Sequence, residues 1–265
     1  MRIKIADIVG EIYFRDKGLK DYLQHFLHSY ITNEKPYFKI AIYGTSSDLK
    51  MHTGRTYQVS VEDHKGKYNI VFNRGKQRFI LGDIEPKERV CSLNLKKISN
   101  YSNLLQSIRV CFHFFIEREG GFFLHASCGT IDGKAYIFTG KHNSGKSTAL
   151  KNLKPERVIA EDSLAIRNNG NTFSVFSIPF RKETSRRGKA QAIIFPKKST
   201  GSPRIERESI TSSAAEVISN TMFSSPNNPQ IIEPVIVNII DFCSSVSRFS
   251  LYAQRDGDIR EVITS

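Results

Sequence analysis

Apolar and polar residues alternate with period two through most of the first hundred positions. RIKIADI, IYF, YFKIAIYG, TYQVSVED, KYNIVFN and QRFILGD are such runs, punctuated by Gly44, Gly54, Gly66, Gly75 and Gly82. They predict short strands joined by tight turns. One stretch has helical period instead: in KGLKDYLQHFLHSY, Leu19, Tyr22, Leu23, Phe26, Leu27 and Tyr30 recur every three or four residues. A second helix is predicted in SNYSNLLQSIRVCFHFFIEREGG, capped by Ser99 or Ser102 and stopped at Gly120–Gly121. Leu104, Leu105, Ile108, Cys111, Phe112 and Phe115 form its apolar face.

Beyond Gly121 the pattern predicts paired strands again. FFLHASCGTI and KAYIFTG flank an Asp132-Gly133 turn, and RVIAEDSLAIR and TFSVFSIPF flank NNGN. A strand in QAIIFP follows, then amphipathic helices in SAAEVISNTMF and PQIIEPVIVNIIDFCSSV. SRFSLYAQ and IREVI, about a DGD turn, predict a terminal hairpin. The chain thus divides into a smaller β-rich N-terminal domain over residues 1–100, with substrate recognition as a candidate role, and a second domain over 101–265. The fold class is α/β (α+β), a mixed, strand-rich sheet around one helix. The N-terminal histidines, His25, His28, His52 and His64, have no ligand spacing.

The chemistry lies after AYIFTG. Gly140-Lys141-His142-Asn143-Ser144-Gly145-Lys146-Ser147 has the spacing G-x4-G-K-S, with STALKNL, a helix former, behind it. The glycines let the backbone curl so that successive N–H groups point at phosphate oxygens, and the helix N-terminus adds its dipole. Lys146 can then reach the β- and γ-phosphates and the Ser147 hydroxyl can bind Mg²⁺. At average composition a chain of this length carries the pattern by chance on the order of 1% of the time. Strand before and helix after lower that further, so residues Gly140 to Thr148 are read as a nucleotide-phosphate loop. An ordinary doubly wound nucleotide-binding fold would alternate strands and helices here; the hairpins on both sides of the loop point to a mixed sheet.

At this point the chain resembles the HPr kinase/phosphorylase-like kinases, whose catalytic domain has the phosphoenolpyruvate-carboxykinase type of P-loop fold. The resemblance rests on LHAS (Leu124–Ser127), the IDGKAYIFTG hairpin, the loop itself and the acidic pair Glu161-Asp162 in VIAEDSLAIR. It continues as a matching order of elements through SIPF, QAIIFP and YAQRDGDI. It implies ATP and Mg²⁺ as cosubstrate and cofactor, with His125 beside the γ-phosphate. Glu161 is then the base that activates an acceptor hydroxyl, and Asp162 a magnesium ligand with Ser147. Glu161 stands where the family usually has Asp; the extra methylene shifts the carboxylate, so the roles of the pair can be exchanged. A glycine- and asparagine-containing signature typical of the bifunctional enzymes is absent, and the chain is more similar to short relatives such as kinases of lasso-peptide precursors. The implied reaction is transfer of the γ-phosphoryl of ATP to a serine hydroxyl of a peptide or protein. Alternatives are a kinase of a small hydroxylated metabolite, such as free serine, and a nucleotide-binding regulatory or RNA-binding protein without transfer.

Charge narrows the partners. The 265 residues include 39 Lys or Arg against 26 Asp or Glu, a net charge of +13, which favours anionic ligands. Residues 181–207 hold nine Lys or Arg and two Glu, and Arg181, Arg186 and Arg187 are candidate ligands for an acidic acceptor. Nucleic acid is disfavoured, because that loop lacks interleaved stacking aromatics. Self-association stays open. Four dispersed cysteines without CxxC spacing argue against disulfides and a cysteine zinc site. MRIKIADIVGEIYF carries Asp7 and Glu11, and IIEPVIVNIIDFC carries Glu233, Asn238 and Asp241. Neither reads as a secretion signal or a membrane span, so a cytoplasmic location is expected.

Overall fold

The structure is a computed structural model that describes residues 1–49, 59–74, 77–170, 172–179, 185–254 and 257–264. Two compact units divide it. The first comprises Met1–Glu119 with Phe223–Ile232 and a short segment from Pro179; the second comprises Gly120–Ile178, Ser185–Met222 and Glu233–Ser265.

The first unit is a seven-stranded mixed sheet with two helices. In chain order its elements are β1 (Arg2–Ile5), β2 (Ile8–Tyr13), α1 (Lys17–Leu27), β3 (Phe38–Tyr43), β4 (Val59–His64), β5 (Lys67–Arg74), β6 (Gln77–Glu85), β7 (Val90–Asn94) and α2 (Tyr101–Arg118). The spatial order is β1-β2-β3-β7-β6-β5-β4, with β3 parallel to both β2 and β7. The Asp16 carboxylate caps α1 through the Leu19 N–H at 2.7 Å, which fixes its start where the helical period begins. The cap of α2 is Asn100, whose side chain accepts from Asn103 N, rather than Ser99 or Ser102. An Asn side chain in extended backbone does the same work as a serine.

Helix α2 belongs to this unit, so the boundary falls after Glu119 and not at residue 100. Its aromatic face explains why: Phe112 meets Phe38 edge-on at 4.8 Å, Phe115 lies tilted against it at 4.5 Å, and Phe114 meets Tyr68 at 5.1 Å. Phe38, Phe112, Phe114 and Phe115 are essentially inaccessible, and each such burial contributes about 1.5–3 kcal/mol. Gly10 permits the approach, since a Cβ there would come within 2.5 Å of the Phe112 ring. The same helix carries buried Glu117, which accepts from the Ser224 N–H at 3.0 Å and from the Ser224 hydroxyl, with His113 Nε2 3.0 Å away.

The second unit holds β8 (Gly121–Leu124), β9 (Ala126–Ile131), β10 (Lys134–Thr139), α3 (Lys146–Leu153), β11 (Arg157–Ala160), β12 (Leu164–Asn168), β13 (Phe173–Ser177), β14 (Arg187–Lys198), β15 (Arg204–Arg207), α4 (Ile210–Asn220), β16 (Thr221–Met222), α5 (Pro229–Ser245, from Glu233 onward), β17 (Ser247–Ala253) and α6 (Arg260–Thr264). Ten strands form a mixed sheet in the order β11-β9-β10-β14-β13-β12-β8-β16, with β17 on β14 and β15 on β17. Both expected hairpins are present, β9–β10 and β12–β13. The C-terminal residues are helical rather than the second strand of a hairpin. Ile259 and Ile263, four apart, both enter the core formed by Phe138, Leu150, Leu153, Ile194 and Leu251, and that spacing suits a helix face. All four cysteines are buried and unpaired. Among the described residues no helix is long and apolar enough to cross a membrane.

Candidate functional site

Two bent strand pairs and one loop create the site. FFLHASCGTI is not one strand but two: β8 ends at Leu124, the chain turns at His125, and β9 begins at Ala126. RVIAEDSLAIR breaks in the same way at Glu161, Asp162 and Ser163, between β11 and β12. The two bends are laced together. Ala126 N donates to Asp162 O at 3.1 Å, and the Ser127 hydroxyl donates to Glu161 O at 2.7 Å. The Thr139 hydroxyl, at the end of β10, donates to His125 O at 3.0 Å. Because β9 runs antiparallel to both β10 and β11, His125, the acidic pair and the loop after Thr139 all lie at one end of the sheet.

The loop has the local geometry its spacing demands. Asn143 and Gly145 have φ of +62° and +99°, left-handed values that glycine adopts at least cost. Ser144 N donates to Lys141 O at 3.1 Å, closing a turn, and Ala149 N donates to Gly145 O at 2.8 Å, opening α3. The first amides of α3 have no partner within the helix. The Ser144 Oγ is buried without a hydrogen-bond partner among the described residues, and Gly140 leaves room for it: a Cβ there would lie 3.2 Å away. Lys146, only 8% exposed, donates to the Gly140 and Lys141 carbonyls at 2.8 and 3.1 Å. Burial pushes its ammonium below its usual pKa, while the Asp162 and Glu216 carboxylates pull it back up.

These groups face a cavity of ≈ 820 Å³ wholly within the second unit. Its walls include His125, the loop from His142 to Ala149, Glu161 and Asp162; Pro196, Lys197 and Lys198 stand opposite. His125 Nδ1 is 3.6 Å from Asp162 Oδ1. Glu161 is more exposed than Asp162. Of the other residues singled out by sequence, Arg181 lies outside the described residues. Arg186 and Arg187 are not brought to the site. The parallel register pairs Lys189 with Lys134 and Ile194 with Phe138, so β14 starts at the end of the sheet remote from the loop. The Arg186 guanidinium instead donates to the Val158 carbonyl. The cations that do reach the cavity from β14 are Lys197 and Lys198, at its other end.

The donors at the loop are of a kind that fits phosphate oxygens. An orphaned hydroxyl, a glycine with left-handed φ, a buried ammonium and a helix N-terminus together match a chain of phosphate oxygens. Among the described residues no group of three His, Cys, Asp or Glu is placed to hold a metal ion unaided. Glu216, whose Oε1 lies 3.6 Å from the point a Cβ on Gly140 would occupy, was not legible in the sequence as a neighbour of the loop.

No protein-family model matches the chain, and no curated protein sequence matches it. Among solved structures, the HPr(Ser) kinase/phosphatase of Coxiella burnetii is similar over 54% of this chain and 93% of its own, at 11% identity and a TM-score of 0.31. The likeness is distant, and no residue role follows from it.

Proposed function

We propose that the second unit is an ATP-dependent, magnesium-requiring kinase that transfers the γ-phosphoryl group to a hydroxyl, that of a serine in a peptide or protein. One observation carries the reading: a phosphate loop, a histidine and two carboxylates converge on one cavity. Phosphoryl transfer asks a protein mainly for positioning and charge neutralisation. Residues Gly140 to Thr148 hold the phosphates through backbone amides, and Lys146 supplies the mobile positive charge. Ser147 and Asp162 are the residues that would hold Mg²⁺, which when bound neutralises charge on the transferring group. Glu161, on the more open side, takes the acceptor proton. His125, held against Asp162, faces the same space. Lys197 and Lys198 take the place expected of the arginines for an acidic or phosphorylated acceptor.

The test uses γ-labelled ATP with Mg²⁺ and serine-containing peptide libraries or free hydroxylated metabolites, comparing wild type with Lys146→Ala. Label should move to an acceptor in the wild type alone. ATP binding without transfer to any acceptor replaces the kinase reading with a nucleotide-binding module.

A further inference from the structure

The main chain around His125 is held from three directions. His125 N donates to Asn220 O, the end of α4, at 3.0 Å, and Ala126 N donates to Asp162 O at 3.1 Å. Asn220 is itself fixed: its side chain donates to the Glu216 carbonyl at 2.8 Å, and Thr221 after it pairs with Leu124. The third hold differs in kind. The ladder between β9 and β10 ends at the pair Ala126–Thr139, and past it a side chain takes over. The Thr139 hydroxyl donates to His125 O at 3.0 Å, from a residue wholly closed to solvent. Of these three bonds it alone is made by a side chain, so it alone can be removed by substitution. Thr139 is also the residue directly before Gly140. One residue therefore ends the strand that delivers the loop and holds the main chain of the histidine.

We propose that Thr139 is a positioning residue whose hydroxyl sets His125 in register with the phosphate loop. The proposal rests on the kinase reading of the cavity. Thr139 touches neither nucleotide nor acceptor and acts through His125. A displacement near 1 Å at a reacting centre can cost on the order of 10²-fold in rate, whereas the loop amides and Lys146 keep their places without this bond. Turnover should therefore fall while affinity for nucleotide holds. Valine has the shape of threonine without its hydroxyl; serine keeps the hydroxyl and gives up a buried methyl. In a purely structural role turnover would follow stability in both variants. In a positioning role the two separate: serine loses stability and keeps turnover, and valine loses turnover.

The experiment compares wild type, Thr139→Val and Thr139→Ser in phosphoryl transfer from labelled Mg·ATP and in urea unfolding. Thr139→Val should lower kcat at least about tenfold with KM for Mg·ATP within a few-fold of wild type. Thr139→Ser should keep kcat within a few-fold although its urea midpoint falls. Unchanged kcat in Thr139→Val, a change confined to KM, or an equal loss of kcat in both variants overturns the proposal. Should Thr139→Val not fold, Thr139→Ala carries the same expectation. A second arm needs no turnover. In protein labelled at the histidine ring carbons, at one pH and without nucleotide, the NMR signal of His125 is assigned through His125→Gln. That signal should move in Thr139→Val and return to its wild-type position in Thr139→Ser; a signal that stays in place in Thr139→Val sinks the proposal. If wild type transfers no phosphoryl group, the kinase reading fails by itself, while the histidine signal still decides whether Thr139 positions His125.

Discussion

Gly145 and Gly133 form a matched pair of perturbations. Both have positive φ, +99° and +71°, and a Cβ added to either meets nothing within 4 Å. Alanine therefore introduces no clash, only the cost of a left-handed L residue, about 1–2 kcal/mol. Part of that is offset by the smaller conformational freedom alanine has when unfolded, about 0.4–1 kcal/mol. Each variant should lose about 1 kcal/mol in urea unfolding. Their consequences for binding should differ. Gly133 turns the chain at the opposite end of β10, a six-residue strand, so it stands about 20 Å from the loop. Gly145 is the N-cap residue from which α3 starts, within the proposed phosphate cradle. Calorimetry with Mg·ATP should show Gly145→Ala binding at least about tenfold more weakly, equivalent to about 1.4 kcal/mol, and Gly133→Ala within about twofold of wild type. Equal affinities in the two variants would refute the assignment of the loop as a phosphate cradle. A stability loss above about 3 kcal/mol in either would refute the view that the space around them is open.

The remaining predictions concern the acidic pair, the displaced arginine and the thiols. Glu161→Gln should abolish phosphoryl transfer while nucleotide affinity stays within a few-fold, and Asp162→Asn should weaken the Mg²⁺ dependence of binding; wild-type turnover in Glu161→Gln removes its role as base. Arg186→Ala deprives the Val158 carbonyl of a charged donor and should cost about 1–3 kcal/mol of stability with ATP affinity unchanged. A large loss of affinity would place Arg186 at the site after all. Burial raises the Cys243 thiol to about 11 and the Cys128 thiol further, from an ordinary value of 9.0. Above pH 9 the folded chain thus keeps protons that the unfolded chain has released. Stability should therefore fall between pH 9 and 11, by up to about 1.4 kcal/mol per pH unit for each such thiol. Unfolding midpoints at pH 8, 9 and 10 check this, and a slope that Cys243→Ala leaves untouched would exclude that thiol as a source.

What could be read from the sequence follows the range over which each signal acts. The turn between β10 and α3 is legible because its geometry is local: a backbone with positive φ before a helix start calls for glycine at fixed offsets. The hairpin turns are local in the same sense. Strand β7 escaped notice since VCSLN is short and its outward positions are a valine, a serine and an asparagine; only its neighbours β3 and β6 make it a strand. IREVI has β-branched residues and becomes helical because Ile259 and Ile263 share one core. Arg186 and Arg187 were misplaced for a topological reason. Composition marks a strand as basic but does not say which of its ends meets the loop, and the parallel register of β14 with β10 decides that. Glu216 lies some seventy residues after Lys146 in a helix of serines and alanines. Nothing near it in the chain marks it, and only the return of α4 brings its carboxylate to the start of the loop, 3.6 Å from the point a Cβ on Gly140 would occupy.

The lacing of the two strand bends divides the cavity into a stiff half and a compliant half. The bends that carry His125 and Asp162 are tied together by the Ala126 N–H on the Asp162 carbonyl and by the short, buried Ser127 side chain on the Glu161 carbonyl. A substitution on the outer surface of this unit therefore has little purchase on their separation. Across the cavity, Lys197, Lys198 and Gln254 are exposed side chains at strand ends, and their replacement disturbs no core. Directed evolution toward a new acceptor should therefore collect its substitutions on that second wall and leave the bends intact.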